Sequence, residues 1–245
     1  MGRGPSIEGR KSVEDAKRAK LFTKLIREIT VAARGGADPV GNARLRLAMD
    51  KAIASNMPKD TIERAIRRGS GADGGDQSQE IRYEGYAPGG VALMIDCVTD
   101  NPTRTVADVR LALTKYGGNL GTSGSVAFQF KRIGRIVVDT RGDATLDDKI
   151  LEVALNAGAD DVQSEKGRCE VLSSPESFEG VRQGLIAAGI APAEAEVDMQ
   201  PLNPVAVSGE AADTLVKLLE RLEELDDVQD VHHSAQLPEG AVQAA

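Results

Sequence analysis

The chain has 245 residues, of which 41% are hydrophobic and 28% are charged, a composition typical of globular proteins. No apolar run approaches the roughly 20 residues that span a bilayer, and the first thirty residues lack the apolar stretch of a secretory signal. We therefore expect a cytoplasmic protein without membrane contact. Two cysteines, far apart, and two adjacent histidines leave few ligands for a metal site and few groups for catalysis. We expect a protein that is not an enzyme and has neither cofactor nor metal.

Charge is distributed unevenly along the chain. The net charge is −8, but residues 1–70 hold 16 Lys and Arg against 8 Asp and Glu, whereas residues 71–245 hold 14 against 30. A basic N-terminal part on an acidic remainder indicates that one end meets a polyanion such as nucleic acid. The alternative is a basic helical bundle whose charges are merely solvated.

The first seventy residues carry the signals of three helices. Ser12 predicts an N-cap for the first helix and Gly35-Gly36 its end; the second runs from Asn42 to Ser55, and the third begins at Pro58 and ends at Gly69. Apolar side chains gather on one face of each helix and basic ones on the other. The basic residues form our candidate nucleic-acid surface: Lys17, Lys20, Lys24, Arg27, Arg34, Arg44, Lys51, Lys59, Arg64, Arg67 and Arg68.

A glycine-rich stretch, residues 69–78, predicts a flexible linker and a domain boundary. Beyond it, residues 81–98 predict a β-hairpin, a helix follows from Asn101-Pro102 to Gly117, and Ser125–Phe130 predicts another strand. Arg104, Arg110 and Lys115 make this region a candidate secondary contact with nucleic acid. The glycine-rich segments of this region predict a tight turn and a loop rather than phosphate cradles. In the second segment the helix precedes the strand, which is the reverse of the order in phosphate-binding loops.

Residues 133–199 predict the order β-α-β-β-α-β, the signature of a ferredoxin-like unit. A strand near residue 205, a helix over residues 210–224 and a strand over residues 227–233 follow, and can complete the sheet begun at residue 81. We predict an α+β fold with an N-terminal three-helix domain, a discontinuous α/β domain and an inserted ferredoxin-like domain. The expected bounds are 1–78, 79–131 with 203–245, and 132–202.

Four motifs, in this order, resemble those of the YebC/PmpR family: Phe22–Ile29, Asn56–Asp60, Tyr83–Ala92 and Gly117–Phe130. The resemblance extends from about residue 10 to the C-terminus. It implies a three-domain cytoplasmic protein, described in the family both as a DNA-binding transcriptional regulator and as a translation factor acting on the ribosome, like the mitochondrial translational activator of cytochrome c oxidase. The opening Met1–Arg10 resembles a variant branch without the His and Trp of many relatives, so no role of those side chains is carried over.

The residues favour recognition of phosphates and shape over recognition of bases. Clustered cations release counterions from a nucleic acid and provide affinity, whereas sequence-specific binding needs a helix directed at a groove, and no helix-turn-helix pattern is present. Aromatic residues for stacking are few, with 3 Tyr, 4 Phe and no Trp. A folded RNA therefore fits at least as well as a promoter.

We predict a non-enzymatic regulator of gene expression that binds nucleic acid through its basic helices, with DNA-binding transcriptional regulation as the leading function. One alternative is a ribosome-associated translation factor that contacts ribosomal RNA. A second, from another class, is a protein-interaction adaptor whose basic part docks on an acidic partner. Paired carboxylates such as Asp147-Asp148 and Glu223-Glu224 are interpreted as charged helix faces rather than metal or acid–base sites, and we expect no small-molecule substrate.

Overall fold

The computed structural model describes residues 7–238, with side chains described from residue 16 onward. These residues form an α+β fold, as predicted. The helices are α1 Ile7–Ala33, α2 Ala43–Ala54, α3 Lys59–Gly69, α4 Pro102–Lys115, α5 Ala144–Asn156, α6 Phe178–Ala187 and α7 Gly209–Glu223. The strands are β1 Gln79–Ala87, β2 Val91–Thr99, β3 Asn119–Leu120, β4 Phe130–Asp139, β5 Asp161–Glu165, β6 Arg168–Ser173, β7 Glu194–Pro201, β8 Val205–Ala206, β9 Val228–His233 and β10 Ala235–Gln236.

Helices α1, α2 and α3 form a helical unit around their apolar faces. Ile29, Leu45 and Ala48 are fully buried there, because the apolar positions of each helix recur every three or four residues. The Asn42 side chain caps α2 by accepting a hydrogen bond from the Leu45 amide at 3.0 Å. Two details differ from prediction.

First, α1 begins at Ile7, so Ser12 lies inside the helix and is not its N-cap. Second, the predicted apolar faces are not fully covered, since Ile53 of α2 is 58% exposed and Leu21 of α1 is 46% exposed. Helical periodicity identifies the face of a helix that is apolar, but the neighbouring helices determine how much of that face is covered.

The first sheet has the order β3-β1-β2-β9 and carries α4 and α7. Strands β1 and β2 form the predicted hairpin, with Gln79 opposite Thr99 and Ala87 opposite Val91. Strand β9 then pairs antiparallel with β2, from Leu93 to Cys97. Because β9 comes from the far end of the chain, this sheet is built from two separated segments, as the sequence predicts.

The second sheet has the order β5-β6-β4-β7, with all neighbours antiparallel. Helices α5 and α6 cover one face, where Ile136, Ile150 and Leu185 are fully buried. The chain order β4-α5-β5-β6-α6-β7 is the predicted ferredoxin-like pattern. The helical unit and each of the two large sheets have a hydrophobic core of their own, and a fourth, smaller cluster of Ala92, Met94, Val126 and Phe130 lies where the two sheets meet. The predicted domain bounds stay a prediction.

Two predicted strands take another form. Residues 127–129 of the predicted strand Ser125–Phe130 form a 3₁₀ turn, and β4 begins only at Phe130. The amides of Val126 and Ala127 donate to the Glu84 carboxylate, so they are not available to a ladder. Strand β8 does not join the first sheet but pairs in parallel with β10.

Among residues 7–238, no helix has the length and apolar character needed to cross a membrane. Within the same residues, no cluster of His, Cys, Asp and Glu is arranged to hold a metal ion. Cys97 and Cys169 are free and buried, and burial raises the pKa of the Cys97 thiol to about 12. Both cysteines behave as small buried hydrophobic residues, as predicted.

Candidate nucleic-acid interface

The basic face of α1 lies against the segment that joins α7 to β9. The Lys20 ammonium donates to the backbone carbonyl of Glu224 at 2.5 Å, and the Lys24 ammonium donates to that of Gln229 at 3.3 Å. Both lysines are half-buried. These predicted phosphate ligands are therefore engaged with the chain's own backbone.

Arg27 completes this contact. It donates to the carbonyl of Asp226 and lies 3.3 Å from the Asp227 carboxylate, whose side chain is only 7% exposed. Arg104 binds the same carboxylate at 2.8 Å, and the Thr105 hydroxyl donates to it at 2.8 Å. Burial alone would raise the pKa of Asp227, but the hydrogen bonds and the two guanidinium groups outweigh it and hold that pKa below its usual value. A predicted primary residue, Arg27, and a predicted secondary one, Arg104, thus meet at one buried carboxylate.

Nearby carboxylates act to raise the pKa values of both Lys24 and Lys51, against the effect of burial. Burial lowers the pKa of Lys24, against the opposing charges of Glu223 and Asp230. Burial would also lower the pKa of Lys51, but Glu28, whose carboxylate lies 3.3 Å away, and Asp230 raise it. Lys24 and Lys51, which lie on the side of the helical unit that faces the rest of the chain, are therefore close to carboxylates on α7 and β9.

Two further predicted residues hold the connection between α3 and β1. Arg34 lies 2.7 Å from the Asp76 carboxylate and donates to the carbonyl of Ser78 at 2.6 Å. Arg44 forms an ion pair with Glu80 through both terminal nitrogens. The predicted linker is thus tied at its end to α1 and α2.

The remaining predicted cations form an outer set that faces solvent. Arg64 lies 2.9 Å from Asp60, but both side chains are about 70% exposed, at 69% and 73%. Arg67 pairs with the exposed Asp73 at 2.8 Å. Exposed pairs of this kind contribute about 0–1 kcal/mol, so a phosphate can displace the carboxylate at little cost. The outer set is Lys17, Lys59, Arg64, Arg67 and Arg68; within residues 16–238, Lys17 and Arg68 have no ion-pair partner.

The predicted secondary contact is divided between the buried network and solvent. Arg104 binds Asp227, as described above, whereas Arg110 and Lys115 of α4 are exposed. The Lys115 ammonium lies 5.5 Å from the centre of the Tyr116 ring. Of these three residues, Arg110 and Lys115 therefore stay available to an external anion, whereas Arg104 is engaged.

Of the two adjacent histidines noted in the sequence, His232 joins the two sheets. Its Nδ1 lies 2.9 Å from a carboxylate oxygen of Asp198 on β7, and its Nε2 lies 3.4 Å from one of Asp96 on β2. Burial would lower the pKa of His232, yet the two carboxylates raise it to about 9, so the imidazole is charged at neutral pH. No sequence signal joins these residues, because they lie far apart along the chain.

Helix α2 contacts α6 of the second sheet through two ion pairs, which the sequence did not predict. Arg46 lies 2.8 Å from Glu179, and the buried Arg182 lies 2.8 Å from Asp50. The helical unit is thus held to both sheets, and this fixes the direction in which its outer basic face points.

Comparison with known proteins assigns similarity to nearly the whole chain. Residues 4–72 match the family model described as the TACO1/YebC protein N-terminal domain. Residues 78–235 match the model described as the TACO1/YebC second and third domain.

Similar proteins align with nearly the whole of this chain and over nearly the whole of their own length. A probable transcriptional regulatory protein of Xanthomonas euvesicatoria is 57% identical over 235 residues, covering 95% of this chain and 96% of the relative. One of Stenotrophomonas maltophilia is 54% identical over 240 residues, covering 97% and 98%. The crystal structure of a conserved hypothetical protein from Aquifex aeolicus is 44% identical, covers 94% of each chain and has a TM-score of 0.83.

Proposed function

Because this chain belongs to the TACO1/YebC family, we propose that it is a non-enzymatic regulator of gene expression that binds nucleic acid in the cytoplasm. Its relatives are named as probable transcriptional regulatory proteins, which supports a regulatory role. These names favour DNA as the target.

The outer set of cations is the observation that carries this proposal. Arg64, Arg67 and Arg68 lie on α3 and are exposed, and the carboxylates near them belong to short-range, exposed pairs. Phosphates can replace such carboxylates without exposing a buried charge. In this proposal α3 follows the phosphate backbone of the target.

The inner cations have a different role in this proposal. Lys20, Lys24 and Arg27 hold the helical unit against the acidic segment after α7, and so orient α3. They affect nucleic-acid binding through that orientation. The acidic remainder of the molecule repels polyanions and leaves the outer face of the helical unit as the favoured contact.

Charge reversal on α3 tests the proposal against a control of equal charge. The test variant carries both Arg67→Glu and Arg68→Glu. The control variant carries both Arg141→Glu and Lys217→Glu, at positions exposed elsewhere on the surface. Anisotropy titrations with duplex DNA and with structured RNA should show weaker binding and a shallower salt dependence for the α3 variant only, by about 0.9 in log–log slope per lost contact to duplex DNA. Equal affinity of the two variants would refute the interface.

Crosslinking in cells, followed by denaturing purification and sequencing of both DNA and RNA, identifies the target. Discrete promoter DNA supports the proposed transcriptional role. Fragments of ribosomal RNA from one site would instead make this protein a translation factor, and recovery of an acidic protein without nucleic acid would make it an adaptor.

A further inference from the structure

One aromatic ring lies exposed at the start of the second sheet. Phe128, in the 3₁₀ turn that precedes β4, is 71% exposed. In residues 16–238 no other Phe or Tyr is exposed, and the remaining aromatic side chains are buried or half-buried. A single exposed apolar side chain is common on protein surfaces, so the case for a site rests on what surrounds this ring.

A buried carboxylate holds the loop that carries this ring. Glu84 of β1 is 5% exposed, and it accepts hydrogen bonds from the amides of Gly124 at 2.7 Å, Val126 at 2.7 Å and Ala127 at 2.9 Å. Burial alone would raise the pKa of Glu84, but these three amides and the charge of Arg82 lower it, so the group stays ionised. A buried charge thus fixes the backbone immediately before Phe128.

Tyr86, two positions from Glu84 on the same strand, fixes the loop a second time. Its hydroxyl donates to the carbonyl of Ser125 at 3.1 Å and accepts from the Gln129 side chain at 3.2 Å. Val126 is fully buried and Phe130 is 7% exposed. Phe128 therefore stands on a rigid support between two anchored neighbours, and a preorganised ring loses little entropy when it binds a partner.

Two cations follow the ring in the sequence. Lys131 and Arg132, at the start of β4, are exposed, and among the described residues neither has an ion-pair partner. This contrasts with Arg135 on the same strand, which contacts three carboxylates. Consecutive residues of a strand point to opposite faces, so these two exposed cations lie one on each face of β4, three and four residues after the ring.

We propose that Phe128, Lys131 and Arg132 form a second nucleic-acid contact, which binds an unpaired nucleotide by stacking on its base and pairing with a flanking phosphate. The inference rests on the proposed function, since it assumes that the chain binds nucleic acid, but it uses none of the helical unit. An exposed ring followed within four residues by exposed cations combines the stacking surface and the charge by which single-stranded segments are bound.

The features of this surface select an unpaired nucleotide over two other anionic partners. Bases inside a duplex already stack on one another and offer no free face to the ring. An acidic peptide would use the cations but would gain no stacking from Phe128. Leu202, whose amide donates to the carbonyl of Gln129 at 2.8 Å, is 54% exposed and adds an apolar side chain to the surface near this loop.

The chain has no tryptophan, so Phe128→Trp places a single fluorescent reporter at the site. The matched control is Leu155→Trp, at a position on α5 that is 50% exposed. Single-stranded oligo(U) and oligo(dT) should quench the emission of Phe128→Trp and leave that of Leu155→Trp unchanged, and a duplex of equal length should quench neither.

Substitutions then separate stacking from charge in the otherwise unchanged full chain. Phe128→Leu keeps an apolar side chain but lacks a π face, and should lower affinity for oligo(U) by about fivefold or more. Lys131→Gln or Arg132→Gln should reduce the salt slope by about 0.7, the value of one contact to a single strand. Lys217→Gln, another exposed lysine, serves as the control.

The outcomes distinguish this inference from the proposed function. Binding detected by anisotropy of a labelled oligonucleotide, without quenching at position 128, overturns the second contact and leaves the α3 interface intact. An absence of any binding overturns both proposals. If Phe128→Leu binds normally, or if oligoglutamate quenches as strongly as oligo(U), the surface is a docking site for an acidic protein and the inference is wrong.

Discussion

The guanidinium of Arg27 lies 3.3 Å from the buried carboxylate of Asp227, and this contact joins the basic helical unit to the acidic part of the chain. Arg104 of α4 holds the same carboxylate at 2.8 Å. The charge asymmetry seen along the sequence is thus partly neutralised inside the molecule.

Asp227→Asn should destabilise the protein by about 2 kcal/mol, because it leaves two guanidinium groups facing a neutral amide in a largely buried site. Urea unfolding followed by circular dichroism measures the change. Asp100→Asn is the matched control, since Asp100 pairs with Arg104 at 3.1 Å but is 69% exposed. Its effect should stay below about 0.5 kcal/mol. Equal losses in the two variants would show that Asp227 contributes no more than a surface charge.

The stability contributed by His232 should depend on pH in a defined direction. Its pKa is raised to about 9 in the folded protein, from an ordinary value of 6.5. A raised pKa means that the stabilisation is fully present below about pH 6.5 and is lost as pH rises through about 9. The stability difference between the native chain and His232→Gln should therefore be largest near pH 6 and shrink by roughly 2–3 kcal/mol by pH 10.

His233→Gln provides the control for this pH series. Burial lowers the pKa of His233 below its ordinary value of 6.5, so its contribution should not change between pH 7 and pH 10. At the acidic end, Asp96 has a pKa of about 2, so the stabilisation that it contributes is lost only as pH falls from about 4 through about 2. A flat difference between pH 6 and pH 10 for His232→Gln would contradict the assigned charge of the imidazole.

Gly69→Ala should destabilise the helical unit by more than about 2 kcal/mol. A methyl group at this last residue of α3 would collide with the backbone carbonyl of Thr30 in α1, and backbone atoms there cannot move aside without separating the helices. Thermal unfolding of this variant is compared with that of Gly41→Ala, where an added methyl group has no neighbour within 4 Å. If the two melting temperatures agree, α1 and α3 are not packed as closely as described.

Local patterns in the sequence predicted most of the elements. Asn42 marks the start of α2, and the change from helical to alternating periodicity near residue 80 marks the first strand. The strand predicted over residues 125–130 was wrong. The alternation of these residues resembles a strand, but amides in this segment donate to the distant Glu84. A carboxylate forty residues away along the chain can override a local preference, and no local pattern reports it.

The candidate site shows the same division. Counting charges predicted a basic surface, and the outer residues Arg67 and Arg68 are exposed as expected. Counting did not separate them from Lys24 and Arg27, which occupy the same kind of helical face but lie against the acidic segment after α7. Helical periodicity places a residue on a face, and only the neighbouring unit decides whether that face meets solvent or protein.

By itself, the amino-acid sequence determined the α+β class, the helix and strand order and the basic character of the N-terminal part, because each follows from local periodicity, capping and composition. The tertiary structure decided which charges remain free. It pairs Arg27 with Asp227 and His232 with Asp198, and it leaves Arg68 and Phe128 exposed. The physical reason is that electrostatic and packing energies depend on distances between groups, and for residues 34 to 200 positions apart those distances exist only in the folded chain.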